Sequence, residues 1–242
     1  MSPRILVTRP AGQEAAVMSQ LTEAGFTPLH QSTLCIEPCP LDARERGYLM
    51  NLDQYHAVFL VSTNAVRLAV EALSDYWPQW PIGVHWIAVG EATAAALINA
   101  GLPAEAPASG FNSEAVLALP ALQQPLHEKQ VLVLRGEGGR ALFTETLVAR
   151  GARVDQVALY RRVCNPAFAW PAPPVDAALV TSVESWHCLQ QHRPPQQMLL
   201  VAGSARIGAA IRAAGYGNLA VAASPHDEDM VACLTQHLMK NR

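Results

Sequence analysis

Two stretches of the chain, RILVTR at residues 4–9 and QVLVLR at residues 130–135, decide the predicted fold. Each is an apolar run that ends in an arginine. Each is followed by a glycine-containing turn and then by a helical pattern that ends at a glycine, Gly25 or Gly151. Both the two arginines and the two glycines are 126 positions apart. A repeat of this kind indicates that the chain contains two copies of one structural unit.

Other segments repeat in the same order. VFLVS at residues 58–62 resembles ALVTS at residues 178–182, and IAVG at residues 87–90 resembles LVAG at residues 200–203. In each case a short apolar run leads through a small or polar turn into an amphipathic helix. Short apolar strands that alternate with helices indicate parallel βαβ units, and continuous apolar strands suit a sheet that is covered on both faces. We therefore predict an α/β protein with parallel sheets.

The helix that follows the first of these strands illustrates the pattern. Val66, Ala69 and Leu73 fall on one face of a helix, so we expect them to face the core. Asn64 or Thr63 is expected to cap the start of this helix, because short polar side chains accept hydrogen bonds from the first free backbone N–H groups.

Composition excludes several classes of protein. Hydrophobic residues make up 50% of the 242 residues and charged residues 15%, against about 25% charged residues in a typical globular chain, so the chain is not disordered. The net charge of -3 removes the broad basic field of a nucleic-acid-binding protein, although a few arginines can still form a local anion site. The sequence shows neither a signal peptide nor a run approaching the roughly 18 apolar residues of a membrane span. We expect a soluble, cytoplasmic protein that binds neither nucleic acid nor membranes.

The cysteines and histidines predict neither a disulfide framework nor a metal site. The cysteine count is odd and no C-x-x-C pair occurs, so we expect no disulfide framework and a reducing compartment. The eight histidines are scattered and lack the spacing of zinc ligands. The five cysteines are Cys35, Cys39, Cys164, Cys188 and Cys233.

Two proline-rich stretches, at about residues 35–40 and 160–174, follow corresponding strand–helix–strand units in the two halves. Proline favours extended backbone, so we predict that these stretches are linkers. If the chain passes from one domain to the other at each linker, one domain comprises residues 40–165 and the other combines residues 1–35 with residues 173–242.

Polar and small residues follow the apolar runs in both halves. Most of them lie at predicted helix N-termini, where free N–H groups and the helix dipole favour an anion and small residues let a ligand approach the backbone. Ligands of open parallel sheets bind beyond the carboxyl ends of the strands. The candidate ligand-binding residues are therefore Thr8, Arg9, Ser62, Thr63, Asn64, Gly90, Thr93, Arg135, Gly136, Gly138, Gly139, Arg140, Ser182, Gly203, Ser204 and Arg206.

Each of these residues also has a purely structural interpretation. Serine and asparagine at a helix start are commonly caps, and glycines in strand-to-helix turns are commonly needed for steric reasons. Arg9 and Arg135 can be surface charges with packed stems. The recurrence of the same chemistry at several strand ends is what favours an anion site.

Tyr160 ends a predicted strand just before the second linker, where a cleft between two domains would open. A phenol at that place can donate a proton or a hydrogen bond to a ligand. The alternative is a half-buried strand tyrosine whose hydroxyl contacts water.

One motif suggests a different chemistry. GEGGRA at residues 136–141 matches the dinucleotide fingerprint G-x-G-x-x-A after a predicted strand, and Asp155 lies near the expected distance of about 20 residues. Asp155, however, begins the next predicted strand, whereas a ribose-binding acid ends one. Tyr160, Arg161 and Arg162 occupy that strand end instead.

The chain resembles the uroporphyrinogen-III synthase family over nearly its whole length. The resemblance lies in ILVTRP at residues 5–10, STNAV at 62–66, AVGEATA at 88–94, LRGEGGR at 134–140 and the strand that carries Tyr160. It implies two flavodoxin-like α/β domains that are joined by a two-stranded linker, with a cleft between them.

The resemblance also implies a reaction. The substrate would be hydroxymethylbilane, a linear tetrapyrrole with an acetate and a propionate on every ring, which the enzyme closes to uroporphyrinogen III with loss of water and inversion of the last ring. The resemblance implies that no metal or organic cofactor takes part. Tyr160 would be the catalytic acid, and the strand-end residues given above would bind the substrate. We expect a monomer, with transient contact to the preceding or following enzyme of tetrapyrrole biosynthesis.

Two other functions stay open at this point. A non-catalytic, two-lobed small-molecule binder would show the same repeat, but it would leave the ratio of product isomers unchanged. An NAD(P)-dependent reductase that uses the Gly136 turn would shift its fluorescence or melting temperature when NADPH is added.

Overall fold

The computed structural model describes residues 2–110, 112–123, 125–138 and 142–239. Within this part of the chain, the strands form two sheets of five strands each. Contacts between Cα atoms divide the chain into a first unit, Met1–Cys35 with Val163–Arg242, and a second unit, Ile36–Arg162. No helix among the described residues is long and apolar enough to cross a membrane.

Strands and helices alternate along most of the chain. The strands are β1 (Arg4–Val7), β2 (Thr27–His30), β3 (Leu34–Pro38), β4 (Ala57–Leu60), β5 (His85–Ala88), β6 (Gln130–Gly136), β7 (Arg153–Cys164), β8 (Ala177–Val180), β9 (Leu199–Ala202) and β10 (Leu219–Val221). The helices are α1 (Ala15–Glu23), α2 (Ala43–Met50), α3 (Thr63–Ser74), α4 (Glu91–Asn99), α5 (Ser113–Leu117), α6 (Pro120–Gln123), α7 (Leu142–Ala149), α8 (Val183–Gln191), α9 (Ala205–Ala213) and α10 (Asp227–Met239). This is the α/β organisation that the sequence predicts.

The two sheets share the order of four of their five strands. The first sheet runs β10-β9-β8-β1-β2 and the second β3-β7-β6-β4-β5. In the sequence repeat, β1, β2, β8 and β9 correspond to β6, β7, β4 and β5. These strands pair in parallel in the same spatial order in both sheets. The repeat seen in the sequence is therefore also a repeat of topology.

Side chains of adjacent strand residues alternate between the two faces of each sheet. Ile5 and Val7 of β1 belong to one buried cluster, and Leu6 belongs to another. In β4, Phe59 and Leu60 likewise lie in different buried clusters. β1 and β4 thus bury both of their faces, which explains why these strands are continuous apolar runs.

The predicted cap of α3 is wrong by one or two positions. The helix begins at Thr63, and Ser62 caps it by accepting a hydrogen bond from the backbone N–H of Ala65. A cap residue needs extended backbone, which Ser62 has and which Thr63 and Asn64, as helical residues, do not. The apolar face is confirmed, because the three residues predicted to share it are buried: Val66, Ala69 and Leu73.

The expectation of no disulfide needs correction. Cys164 and Cys188 form a disulfide bond with their Cα atoms 5.1 Å apart, while the cysteines that remain free are Cys35, Cys39 and Cys233. Cys164 ends β7 and Cys188 lies on α8, so only the folded chain brings them together and no sequence spacing signals the pair. Because the argument for a reducing compartment assumed no disulfide, the cytoplasmic location stays a prediction.

We expect this disulfide to stabilise the first unit. It closes a loop with a sequence separation of 24 residues, and a loop of that size is worth about 3 kcal/mol of unfolding free energy. Dithiothreitol should lower the unfolding free energy of the wild-type chain by that order, as measured by urea denaturation. Cys164→Ser should show the same loss without any response to dithiothreitol, whereas Cys35→Ser should keep the response. Thiol titration of the urea-unfolded, non-reduced protein should find three thiols, and finding five would contradict the bond.

Candidate functional site

A cavity of about 340 Å³ lies at the carboxyl ends of the strands of the second unit. Residues of β4, β6 and β7 line it, together with the turn after β6 and the start of α7. In parallel sheets this edge is where ligands bind, because the helices that follow the strands begin there. The cavity is at the low end of the size range of small-molecule sites, so it suits a part of a large ligand rather than the whole.

The floor of the cavity is apolar. Phe59 of β4, Val133 of β6 and Phe143 of α7 contribute to it. The two phenylalanine rings have their centroids 4.3 Å apart and are almost wholly buried. Such a floor suits a flat, apolar ring.

The rim carries positive charge. Arg135 lies at the end of β6, where its Nε–H donates to the backbone oxygen of Gly136 and its Nη1 donates to Oε1 of Gln156 at 3.1 Å. Both acceptors are neutral, so the charge of Arg135 is not cancelled by these contacts. Arg162 contributes a second guanidinium, 5.7 Å from the centre of the Tyr160 ring. Two arginines beside an apolar floor suit a ring that bears carboxylates.

Tyr160 lines the same cavity but is only 1% exposed. Its hydroxyl lies 2.9 Å from Oγ of Ser62, and either oxygen can be the donor. Its backbone oxygen accepts a hydrogen bond from the N–H of Glu137 at 2.7 Å. The half-buried tyrosine offered as the alternative is therefore wrong, because Tyr160 is buried. Donation from its hydroxyl to a ligand stays a prediction.

Glu137 adds one negative group to the rim. Its Oε1 accepts a weak hydrogen bond from Sγ of Cys39 at 3.6 Å. Burial, and then the nearby Glu137 carboxylate, raise the pKa of the Cys39 thiol. Cys39 is therefore favoured in its neutral form and is a poor nucleophile.

Several predicted residues of the second unit meet at this cavity. Arg135, Gly136, Gly138 and Tyr160 line it, and Ser62 contacts Tyr160. The predicted residues Gly139 and Arg140 lie outside the described residues.

Two of the predicted threonines are buried. Thr8 is 0% exposed, donates its hydroxyl to the backbone oxygen of Leu179 at 2.7 Å and lies 3.0 Å from Oγ of Ser185. Thr93 of α4 is 4% exposed. The Thr8 hydroxyl satisfies groups inside the first unit, and in this structure neither threonine presents its side chain to solvent.

Arg9 differs from its repeat equivalent Arg135. Its Nη2 lies 2.5 Å from Oδ1 of Asp227, and the same nitrogen donates to the backbone oxygen of Pro225. The Asp227 carboxylate neutralises the positive charge of Arg9, which is expected from the sequence to bind an anionic ligand. A contact between Arg9 and a substrate carboxylate would have to displace Asp227.

The remaining candidates lie at the starts of helices. Ser182 and Ser204 cap α8 and α9 by accepting hydrogen bonds from the backbone N–H groups of Ser185 and Ile207. These two serines thus act as helix caps, which is the structural interpretation of a serine at a helix start. The other helix-start candidates are Thr63, Asn64, Gly90, Gly203 and Arg206, of which Thr63 and Arg206 are exposed. Their binding roles stay predictions.

The dinucleotide interpretation is not supported. Asp155 is 6% exposed and accepts a hydrogen bond from the hydroxyl of Tyr55 at 3.0 Å. Burial, and then this bond to Asp155, raise the pKa of Tyr55. Asp155 also lies near the amino end of β7, away from the edge that carries Tyr160. It is therefore not a free acid for a ribose.

Sequence reasoning did not select Arg162, Phe59 or Phe143. A signal existed for Arg162, because residues two apart in a strand point to the same side and Arg162 follows Tyr160 by two. Arg161 between them points elsewhere and forms an ion pair with Glu37 at 3.0 Å. The phenylalanines gave no signal, because a ring on a cavity floor and a ring in a core look alike in a sequence.

Comparison with known proteins identifies similar chains. The family model described as uroporphyrinogen-III synthase HemD matches residues 16–232. The uroporphyrinogen-III synthase of Salmonella typhimurium is 32% identical, and that of Escherichia coli 30% identical, each over 95% of this chain and 99% of the relative. Among solved structures, the synthase of Helicobacter pylori has a TM-score of 0.62 at 16% identity and covers 99% of this chain and 100% of its own. A mutant of the Thermus thermophilus enzyme has a TM-score of 0.59 at 19% identity with the same coverage. At those identities the structural matches show the fold alone.

Two capping serines allow a matched test of the Ser62–Tyr160 contact. Ser62→Ala and Ser204→Ala each remove a helix cap, which costs about 1 kcal/mol of unfolding free energy. Ser62→Ala also leaves the buried Tyr160 hydroxyl without this partner, which adds about 1–3 kcal/mol. Urea denaturation should therefore show the larger loss for Ser62→Ala. In a Tyr160→Phe background the two serine substitutions should cost the same; unequal costs there would mean that Ser62 stabilises the chain by a different contact.

Proposed function

The chain belongs to the uroporphyrinogen-III synthase family, and we propose how its own residues carry out that family's reaction. The enzyme closes hydroxymethylbilane to uroporphyrinogen III, with loss of water and inversion of the last pyrrole ring, in tetrapyrrole biosynthesis. The observation that supports the assignment of roles is one cavity that is lined by Tyr160, whose hydroxyl contacts Ser62, and by Arg135 and Arg162.

The substrate explains the composition of the cavity. Each pyrrole is flat and carries two carboxylates, so a site needs an apolar surface for the ring and cations for its acids. Phe59, Val133 and Phe143 supply the surface, and Arg135 and Arg162 supply the cations. We propose that the cavity holds one pyrrole ring with its acidic side chains, in keeping with its volume of about 340 Å³.

Loss of water is the first chemical step. The terminal hydroxyl leaves as water when it gains a proton, while the pyrrole nitrogen supplies the electron pair that expels it and an azafulvene cation forms. We assign the proton donor to Tyr160, the hydroxyl-bearing side chain of β7 that lines the cavity. Ser62 fixes the direction of that hydroxyl and so acts as a positioning residue. A positioned acid of this kind contributes about 10²–10⁴-fold to a rate.

Choice of the attacking carbon is the second step. The last ring attacks the cation through its substituted carbon, the resulting spiro intermediate fragments and recloses, and the ring finally returns a proton. Without enzyme, the unsubstituted carbon attacks and the unrotated isomer forms. The protein therefore acts mainly by holding the flexible chain in one geometry, for which fixed arginines and backbone N–H groups at the strand ends are suited.

The architecture and surroundings of the enzyme complete the proposal. We propose that each unit is a flavodoxin-like domain and that the two-stranded linker consists of about residues 35–40 and 160–174, which contain or adjoin the two divisions between the units. We propose that a cytoplasmic monomer binds the linear tetrapyrrole and that its protein contacts are transient ones with the preceding or following enzyme.

The role of Tyr160 predicts the behaviour of Tyr160→Phe. Removing the hydroxyl should lower kcat by about 10²–10⁴-fold, with little change in KM because the ring and both arginines remain. The assay supplies freshly made hydroxymethylbilane, oxidises the products and separates the porphyrin isomers by chromatography. As enzymatic closure slows, the unrotated isomer should take a growing share of the product.

Tyr55→Phe is the matched control. It also removes a buried, hydrogen-bonded phenol hydroxyl from the second unit. That hydroxyl donates to Asp155 and does not line the cavity of Tyr160. It should lower stability and keep kcat. A Tyr160→Phe enzyme with wild-type kcat would exclude the acid role, and a wild-type chain that yields only the unrotated isomer at the spontaneous rate would indicate a binder instead of an enzyme.

A further inference from the structure

Gly136 has no room for a side chain. A Cβ atom built on it would lie 2.6 Å from Cε2 and 2.7 Å from Cζ of Tyr160. Real Cβ atoms essentially never approach so closely, and Cζ is the atom that carries the phenol oxygen. The requirement for glycine is therefore one of space against a ring, since Gly136 is not among the glycines with positive φ.

A bulge creates this close approach. In the pairing of β6 with β7, Arg135 lies opposite Ala158, but Gly136 lies opposite Tyr160. Leu159 is thus an extra residue, and Leu159 and Tyr160 contribute to the same buried cluster although they are adjacent in a strand. Bulges re-aim side chains and are common next to active sites. Here the bulge places the Tyr160 ring against the Cα atom of Gly136.

The ring is fixed from other directions as well. Its hydroxyl contacts Oγ of Ser62, and its backbone oxygen accepts from the N–H of Glu137. Because Tyr160 is only 1% exposed, the ring cannot turn out into solvent to avoid a new methyl group. A Cβ at position 136 therefore forces a shift of the ring or of the strand that carries it. A shift of the phenol oxygen by about 1 Å would break its 2.9 Å hydrogen bond.

We infer that Gly136 is a positioning residue for the reaction: its missing side chain sets the place of the Tyr160 hydroxyl relative to the substrate. This inference rests on the proposed role of Tyr160 as the acid. This role differs from the one expected from sequence, in which Gly136 lets a ligand approach the backbone closely. A displacement of about 1 Å at a reacting group can cost about 10²-fold in rate.

Gly136→Ala tests the inference, with Gly47→Ala as the matched control. Gly47 lies on α2 of the same unit, and a Cβ there would meet nothing within 4 Å. Gly136→Ala should lower kcat by about 10–100-fold and leave KM within about twofold, because it removes no group that binds the substrate. Gly47→Ala should leave both unchanged.

A spectroscopic measurement separates position from activity. The chain has five tyrosines, so protein labelled with ¹³C at tyrosine Cζ gives five resonances, and the one lost in Tyr160→Phe belongs to Tyr160. In Gly136→Ala the Tyr160 resonance should shift, whereas Gly47→Ala should leave it in place. An unmoved resonance together with wild-type kcat in Gly136→Ala would overturn the inference.

The double variant Gly136→Ala/Tyr160→Phe decides whether Gly136 acts through the hydroxyl. It should be no slower than Tyr160→Phe alone, and a further loss equal to that of Gly136→Ala would overturn the inference. If Tyr160→Phe itself keeps wild-type kcat, the proposed acid is wrong, while the resonance still reports whether Gly136 positions the ring.

A fourth variant covers the case in which Gly136→Ala does not fold. Gly136→Ala/Tyr160→Ala contains no ring for the methyl group to meet, so it should fold as Tyr160→Ala alone does. Misfolding of the double variant when Tyr160→Ala folds would show that Gly136 is needed for another reason and would overturn the inference.

Discussion

Parallel pairing is the constraint on which the structure depends. Strands that pair in parallel all end at one edge of the sheet, and the chain must return over a face of the sheet to begin the next strand. Both faces are then covered, the strands become apolar along their whole length, and the polar residues are left for the turns at the carboxyl edge. In the second unit this edge carries the cavity, with Arg135 near the end of β6 and Tyr160 on the neighbouring strand β7. Contrary to the prediction from sequence, Tyr160 does not end its strand, because β7 continues to Cys164.

The two copies of this arrangement have diverged in chemistry rather than in topology. Equivalent strands keep the same order in both sheets. At the strand ends, however, Arg9 forms an ion pair with Asp227, whereas Arg135 donates to neutral oxygens beside a cavity. The capping serines diverge as well, because Ser62 caps α3 and also contacts Tyr160, while its repeat equivalent Ser182 caps α8. The repeat in sequence thus predicts equal sites, and partners that are distant in sequence, Asp227 and Tyr160, make them unequal.

The site depends on small distances that no pattern encodes. The hydroxyl of Tyr160, the proposed acid, contacts Ser62, nearly a hundred residues earlier, and its ring occupies the space that a side chain at Gly136 would need. The bulge at Leu159 brings the glycine and the ring together. One extra residue in one strand therefore links the register of the sheet to the geometry of the candidate catalytic group.

Local pattern was enough to predict the strands, the helix faces and the parallel sheets, because continuous apolar runs and the helical spacing of apolar residues act over only a few positions. It also placed Arg135, Gly136, Gly138 and Tyr160 among the candidates, since residues after parallel strands share one edge. Only the tertiary structure decided which of them meet. The disulfide between Cys164 and Cys188, the Asp227 partner of Arg9 and the burial of Thr8 all join residues that are distant in sequence. Contacts of that kind follow from packing of the whole chain, and short-range spacing carries no record of them.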